Sequence, residues 1–436
     1  MPAFLRMDEL QNLNMLNCTP EEIVIYLNNP QDKVSAQYAV ASGAETVSGR
    51  HEFGGMDMDF QLSKEHQMAR VLFRDFAEKE VKPYARDVDE KERFPEEAYE
   101  KFCKYGFMGI PYPKELGGQG CDTLTYAICV EEVAKACCTS STLLSIHTSL
   151  CTWPIYKYGT EEQKKKYMPK LTSGEYLGAF GLTEPDAGTD SSAQRTQAVP
   201  EGDHYVLNGS KVFITNAGCA DVYVIFAMTD RSLGNHGISA FIVEKGFQGF
   251  SVGREEKKMG IRGSSTCELI FQNCIVPKEN LLGQEGRGFI IAMTTLDGGR
   301  IGIAAQALGL SEGALDETIK FVKERKQFGR PLAKFQNTQF EIAEMLTKTQ
   351  AAQLLLYKAA IAKDNQKSVS LEAAEAKLFC AAVAMEVTTR CVQLHGGYGY
   401  MREYPVERMM RDAKITEIYE GTSEVQKMVI SKYALK

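Results

Sequence analysis

The chain has 436 residues, 44% hydrophobic and 25% charged, enough apolar material for two or three domains with substantial cores. A formal net charge of -7 argues against a general nucleic-acid or anionic-membrane binder, which needs clustered excess Lys and Arg, but leaves room for an anionic small ligand at a local site. Twelve cysteines, several inside apolar runs (Cys129, Cys137, Cys138, Cys380, Cys391) and none in a C-x-x-C pair, argue against a disulfide framework or a zinc or iron-sulfur site and favour a reducing compartment.

In chain order, residues 1–57 read as a small helical extension and linker. Thr19 is a good N-cap with Pro20 at the first helical position, 23–27 is a short apolar run, and 42–55 is rich in Gly and small polar residues. The acids throughout this stretch do not suit a transit peptide, and no run in the chain reaches transmembrane length.

Residues 58–177 have helical periodicity, with Leu62, Met68, Val71, Leu72, Phe76 and Val81 at three- and four-residue spacing until Pro83 disturbs the pattern. Further helices are expected over 96–105, 124–136 and 161–171, and the apolar, small-residue stretch 140–153 suits a buried helix walling a pocket. His147 within it reads as a core histidine, because no acidic or cysteine partner lies at relay or ligand spacing.

Over 178–285 the pattern changes to strands, at 205–207, 212–214, 222–228, 238–243 and 268–275. Asn208-Gly209 between the first two reads as a type I′ hairpin turn. Over 286–436 helices return, with apolar faces at 289–292, 301–310, 335–362, 371–394 and the C-terminus. The chain is therefore expected to place a β domain between two helical ones.

Several stretches could carry chemistry. Residues 180–190 form a hydroxyl-rich loop in which Thr183 and Thr189 can donate and Gly188 admits close backbone approach; alone, it fits an ordinary turn equally well. Phe213 and Thr215 lie two apart on one strand face, suited to a planar ring or to plain sheet packing. Asp297 and Arg300 share a helix face, either as an ion pair or as ligand contacts. The run 325–331 with Gln336 offers forked cations and amides suited to a pyrophosphate, or a solvated basic turn, and 393–400 is a Gly-rich turn after a helix. At the C-terminus, Glu420 sits at a break before Gly421, with Thr422-Ser423 capping a new helix. A carboxylate there can act as a base if burial raises its pKa, or remain a surface glutamate.

Taken in order, FGLTEPDAGTD, LNGSKVFITNA, TLDGGRIGIAAQALG, RKQFGRPL, QLHGGYGY and RDAKITEIYEGTSEVQ resemble the acyl-CoA dehydrogenase family, nearest its bacterial short-chain, butyryl-CoA branch, from about residue 58 to the end. The resemblance implies an N-terminal all-α domain, a central β-barrel or sheet domain and a C-terminal four-helix-bundle domain, usually as a homotetramer built of dimers with one FAD per subunit. By motif position, Phe180, Leu182, Thr183, Phe213 and Thr215 would hold the flavin ring. Arg325, Phe328 and Gln336, with Gln393 and Gly397, would reach a neighbouring subunit's FAD. Thr189, Thr422 and Glu424 would touch FAD, the last two beside the catalytic Glu420, while Thr189 again, with Asp297, Arg300 and Gly421, would line the substrate channel.

The implied reaction is abstraction of the thioester α-proton by Glu420 with β-hydride transfer to flavin N5, giving an enoyl-CoA or running in reverse, with electrons exchanged with electron-transfer flavoprotein. The implied setting is cytoplasmic. Reduction of another 2-enoyl-CoA, acryloyl or aryl-propenoyl, in an electron-bifurcating complex is the alternative; residues 143–150 and 398–401 would wall the pocket that decides. Relatives of the isovaleryl and long-chain type carry the base just before the channel arginine, a position held here by Gly299, and many relatives carry Trp where this chain has Phe213.

Overall fold

Ser63 caps the first described helix, α1 (Lys64–Phe76), by accepting the His66 N-H at 3.2 Å. The computed structural model describes residues 61–365 and 368–436, so the helical extension expected over 1–57 lies outside the described residues. After α1 the chain widens into a π-turn at Ala77–Val81 and tightens at Pro83, as the broken periodicity suggests.

Helices α2 (Ala85–Glu90), α3 (Glu96–Tyr105), α4 (Thr123–Ala136), α5 (Cys138–Ile146), α6 (Trp153–Tyr158) and α7 (Glu161–Ser173) complete the N-terminal helical part. Nearly every residue of α4 and all of α5 are buried, the behaviour of helices apolar on all sides. A π-segment, His147–Thr152, joins α5 to α6.

The central sheet contains β1 (Gly178–Gly181), β2 (Gln197–Glu201), β3 (His204–Ile214), β4 (Val222–Met228), β5 (Ile238–Glu244), β6 (Phe250–Glu255), β7 (Cys267–Pro277) and β8 (Leu281–Leu282). Its order is β6-β7-β3-β2-β4-β5-β8, with β1 parallel to β4. The expected hairpin turn at Asn208-Gly209 is wrong. β3 runs straight through both residues against β7, and the turn lies instead between Glu201 and His204. Asn208-Gly209 marks a bulge: the register against β7 shifts there, the Asn208 side chain accepts the Asn273 N-H at 2.8 Å, and a Cβ on Gly209 would lie 2.5 Å from Thr196 Oγ1.

The C-terminal part is built from α8 (Gly288–Glu324), α9 (Gln336–Asp364) and α10 (Ser370–His395) side by side. After α11 (Val406–Ala413), α12 (Ser423–Ala434) packs on α10 as the fourth bundle helix. The apolar stretches 289–292 and 301–310 are one helix, with Gly298-Gly299 inside it. One hydrophobic core runs through both helical parts, including Phe102, Ile128, Leu308 and Leu356. A second, including Leu150, Phe180, Phe226 and Ile291, joins helices to sheet.

Candidate active site

After α11 the chain tightens through a 3-10 turn, Lys414–Glu417, and reaches Glu420 with φ 53° and Gly421 with φ 91°. A glutamate in the left-handed region is strained and persists only where its surroundings hold it. Here Gln426 Nε2 donates to the Gly421 carbonyl at 2.8 Å and the Glu420 carbonyl at 3.3 Å, and Lys377 Nζ of α10 donates to the Gly421 carbonyl at 2.7 Å. Thr422 caps α12 by accepting the Val425 N-H, as the sequence suggests. Both Glu420 carboxylate oxygens are buried with no hydrogen-bond partner among the described residues. Burial pushes the carboxyl up to about 8, against the pull of Lys377 and Arg300.

Facing this turn, α8 presents Asp297 and Arg300. Arg300 donates to Asp297 Oδ1 at 2.6 Å, and Asp297 Oδ2 accepts from Ser370 Oγ at 2.5 Å. The helix-face ion pair therefore exists. Yet Arg300 Nε is buried without a partner among the described residues, and burial lowers the guanidinium from its ordinary range. A Cβ on Gly299 would overlap the Glu420 carboxylate and come within 2.7 Å of Leu150 Cδ2. Tyr419 donates to Gln306, which in turn donates to the Cys138 carbonyl at 3.1 Å, tying the turn to α8 and α5. The result is a water-poor carboxyl next to a cation, suited to taking a proton from carbon.

On the β domain, Phe180 and Leu182 are buried, Phe180 against Phe226 at 5.0 Å between centroids. The Thr183 carbonyl accepts the Val212 N-H at 2.9 Å, while Gly188 and Thr189 are exposed with open space around Gly188. Phe213 occupies a second register break in β3 with φ 59° and is 63% exposed, two residues before the half-buried Thr215. Beneath them Lys211, fully buried, donates to Glu184 Oε1 at 2.7 Å, Gln194 Oε1 at 3.0 Å and the Leu182 carbonyl at 3.1 Å. Burial takes this amine down to about 8 despite Glu184. Glu184 also accepts the Arg195 and Thr196 N-H groups, so one pair fixes loop and strand together.

The remaining candidates lie at the other end of the bundle. Arg325 stacks over the Tyr398 ring at 5.1 Å, Phe328 is 92% exposed at φ 50°, and Gln336, Gln393 and Gly397 are exposed. From Arg300 to Arg325 along α8 is roughly 37 Å at the rise of an α-helix. One chain therefore does not bring this group to Glu420. The expectation that 398–401 walls the pocket fails within one chain for the same reason, since Tyr398 packs near Phe321 and Arg325. Glu424 is exposed on the first turn of α12.

His147 is the core histidine expected: Nδ1 accepts the Gly178 N-H at 3.0 Å, Nε2 meets the Leu171 carbonyl at 3.0 Å, and burial lowers it to about 4. Four residues escaped the sequence reading: Lys377, Gln426, Lys211 and Glu184. Two carried a signal. Lys377 falls on the apolar stripe of Ala373, Cys380 and Ala384, and Lys211 on the inward alternation of Tyr205 and Leu207.

Two helical parts thus flank a β domain, with a buried, unpartnered carboxylate on a C-terminal turn and an exposed aromatic ring on the sheet. Residues 63–175, 179–274 and 286–435 match the acyl-CoA dehydrogenase N-terminal, middle and C-terminal domains, and the chain belongs to the acyl-CoA dehydrogenase family. It is 62% identical to the short-chain-specific acyl-CoA dehydrogenase of Clostridium acetobutylicum over 86% of this chain and 99% of that protein. It is 52% identical to the acryloyl-CoA reductase (NADH) of Anaerotignum propionicum over 87% and 96%.

Among solved structures, butyryl-CoA dehydrogenase from Megasphaera elsdenii superposes with TM-score 0.85 at 51% identity, covering 87% of this chain and 100% of that one. A chain in the structure of the electron transferring flavoprotein of Acidaminococcus fermentans superposes with TM-score 0.86 at 55% identity over 87% and 100%.

Proposed function

We propose that this protein is an FAD-dependent short-chain acyl-CoA dehydrogenase, interconverting butyryl-CoA and crotonyl-CoA and exchanging electrons with electron-transfer flavoprotein. The observation that carries the reading is the Glu420 carboxylate, buried and unpartnered against Gly299 and beside Arg300. Glu420 takes the α-proton of the bound thioester. Its own N-H donates to no group among the described residues and is available to the thioester carbonyl, where enolate charge develops. Leu150 and the buried helix α5 keep water from the carboxylate and limit the space beside it. Asp297 and Ser370 hold Arg300 in place, and Thr189 on its open loop meets the polar arm of the substrate.

The residues fit FAD on grounds internal to the chain. The Phe213 ring stands uncovered on a strained bulge, the neighbouring Val212 N-H is held by the Thr183 carbonyl, and Phe180, Leu182, Thr183 and Thr215 would hold the ring system with Phe213, while Thr422 and Glu424 follow the base. FAD held there would supply an acceptor for the β-hydrogen and its electron pair, so that loss of the α-proton to Glu420 would leave the new double bond. Arg325, Phe328, Gln336, Gln393 and Gly397 would grip the FAD of a neighbouring subunit, which accounts for exposed rings and an arginine with no carboxylate partner so far from Glu420. That sharing needs at least a dimer, and family membership points to a homotetramer built of dimers. The bacterial relatives and free cysteines support a cytoplasmic setting.

The 52% identity to an acryloyl-CoA reductase favours a second reading, reduction of a different 2-enoyl-CoA in an electron-bifurcating complex by the same base. Anaerobic titration of the flavin absorbance with butyryl-, octanoyl- and phenylpropanoyl-CoA tests the first. Bleaching strongest with butyryl-CoA supports it; bleaching only with a longer or aryl thioester keeps the chemistry and overturns the substrate.

A further inference from the structure

Lys377 lies mid-helix in α10 with no exposed surface, among Ala373, Ala376, Cys380 and Ala381, all equally buried. A lysine taken out of water normally meets a carboxylate. This one does not: its ammonium has no ion pair among the described residues, and its hydrogen bond is spent on a backbone carbonyl, that of Gly421, at 2.7 Å. The carbonyl belongs to the residue following Glu420, in a turn where both residues have positive φ.

Two features make this more than a packing accident. Gln426 holds the same carbonyl from the other side, so the turn is clamped twice, and the Gln426 side chain is itself fully buried. The other cation facing Glu420, Arg300, is already neutralised by Asp297, which leaves Lys377 as the cation whose field is not cancelled by an ion pair. We infer that Lys377 is a positioning residue for the base: its ammonium pins the Glu420-Gly421 turn from beneath α12 and favours the carboxylate form of Glu420. The inference rests on reading Glu420 as the base.

The groups facing Glu420 are Arg300 from α8, Lys377 from α10 and Tyr126 from α4, with Tyr419 preceding it in the chain. Glu417 and Glu424 face Lys377 from the turn and from α12. Lys377→Met would remove the clamp and the uncancelled charge, whereas Lys377→Arg would keep the charge and a donor.

The test is the pH profile of kcat and of kcat/KM for butyryl-CoA in the FAD-loaded protein, wild type against both variants, with thermal melting alongside. In Lys377→Met, kcat falls at least about tenfold with KM little changed, and the acid limb moves up by about one pH unit. Lys377→Arg returns the limb towards wild type. If the Met variant melts lower but its limb stays in place, or if the Arg variant folds and leaves the limb displaced, the inference is overturned. Should the Met variant not fold, Lys377→Gln takes its place under the same criteria. Wild type that turns over no acyl-CoA would count against the base itself, a result distinguishable from an unmoved limb.

Discussion

The Glu420 carboxylate fills the space that a side chain at residue 299 would need, so the glycine of α8 and the glutamate of the C-terminal turn are mutually dependent. A side chain at 299 fits only if the Glu420 carboxylate gives way. Gly299→Ala therefore displaces Glu420 from beside Arg300. Because misplacing a catalytic group by about 1 Å costs on the order of a hundredfold, kcat should drop by that order while FAD stays bound. Steady-state kinetics beside the flavin spectrum check this.

The raised pKa of Glu420 has a sign in stability. Below about 4.5 the carboxyl is protonated in folded and unfolded chains alike, and burial costs nothing through this group. Between 4.5 and about 8 the folded chain retains a proton that the unfolded chain has released, so stability declines by roughly 1.4 kcal/mol per pH unit. Above that the loss is complete. Glu420→Gln lacks this decline, and its melting temperature relative to wild type should rise steadily as pH increases through the window. The slope is the prediction, since the buried amide adds an offset that does not vary with pH.

Lys211 and Glu184 form a buried pair beneath the sheet face that bears Phe213. Lys211→Met leaves Glu184 buried without its cation and should cost about 3–5 kcal/mol, and adding Glu184→Leu should not restore wild-type stability, because the Arg195 and Thr196 N-H groups then lose their acceptor. Thermal or urea unfolding of the two variants measures the difference. The single variant should also release FAD more readily, because Lys211 holds the Leu182 carbonyl.

Arg325 has no carboxylate partner among the described residues and lies roughly 37 Å along α8 from Arg300. Arg325→Ala should leave the fold of each subunit intact but weaken FAD retention, by about tenfold or more for a charge-assisted contact. Flavin release on dilution, followed by fluorescence, checks it. Retention equal to wild type would remove the neighbouring subunit from the cofactor site.

Most of the architecture was legible because periodicity reports burial. The switch from three- and four-residue spacing to strand runs near residue 178 marks a real change of element, and Thr422 caps α12 as its residue type suggests. Asn208-Gly209 misled because the same pair that permits a turn also permits a bulge, and only the partner strand β7 decides between them. The break before α12 was readable from Glu420-Gly421. The raised carboxyl was not, because it depends on burial against Leu150 and Gly299, opposed by Lys377 and Arg300, which are distant in sequence and meet only in the fold. Of the two readings of Asp297 and Arg300, the structure shows the ion pair, which leaves Arg300 Nε buried and uncommitted.

The account turns on Glu420 as the group that takes the α-proton. Anaerobic addition of butyryl-CoA to the FAD-loaded wild type and to Glu420→Gln, followed at the flavin absorbance, tests that most directly. The account predicts bleaching in wild type and none in the variant, with both proteins binding the thioester. Bleaching of Glu420→Gln at a rate near that of wild type would contradict it.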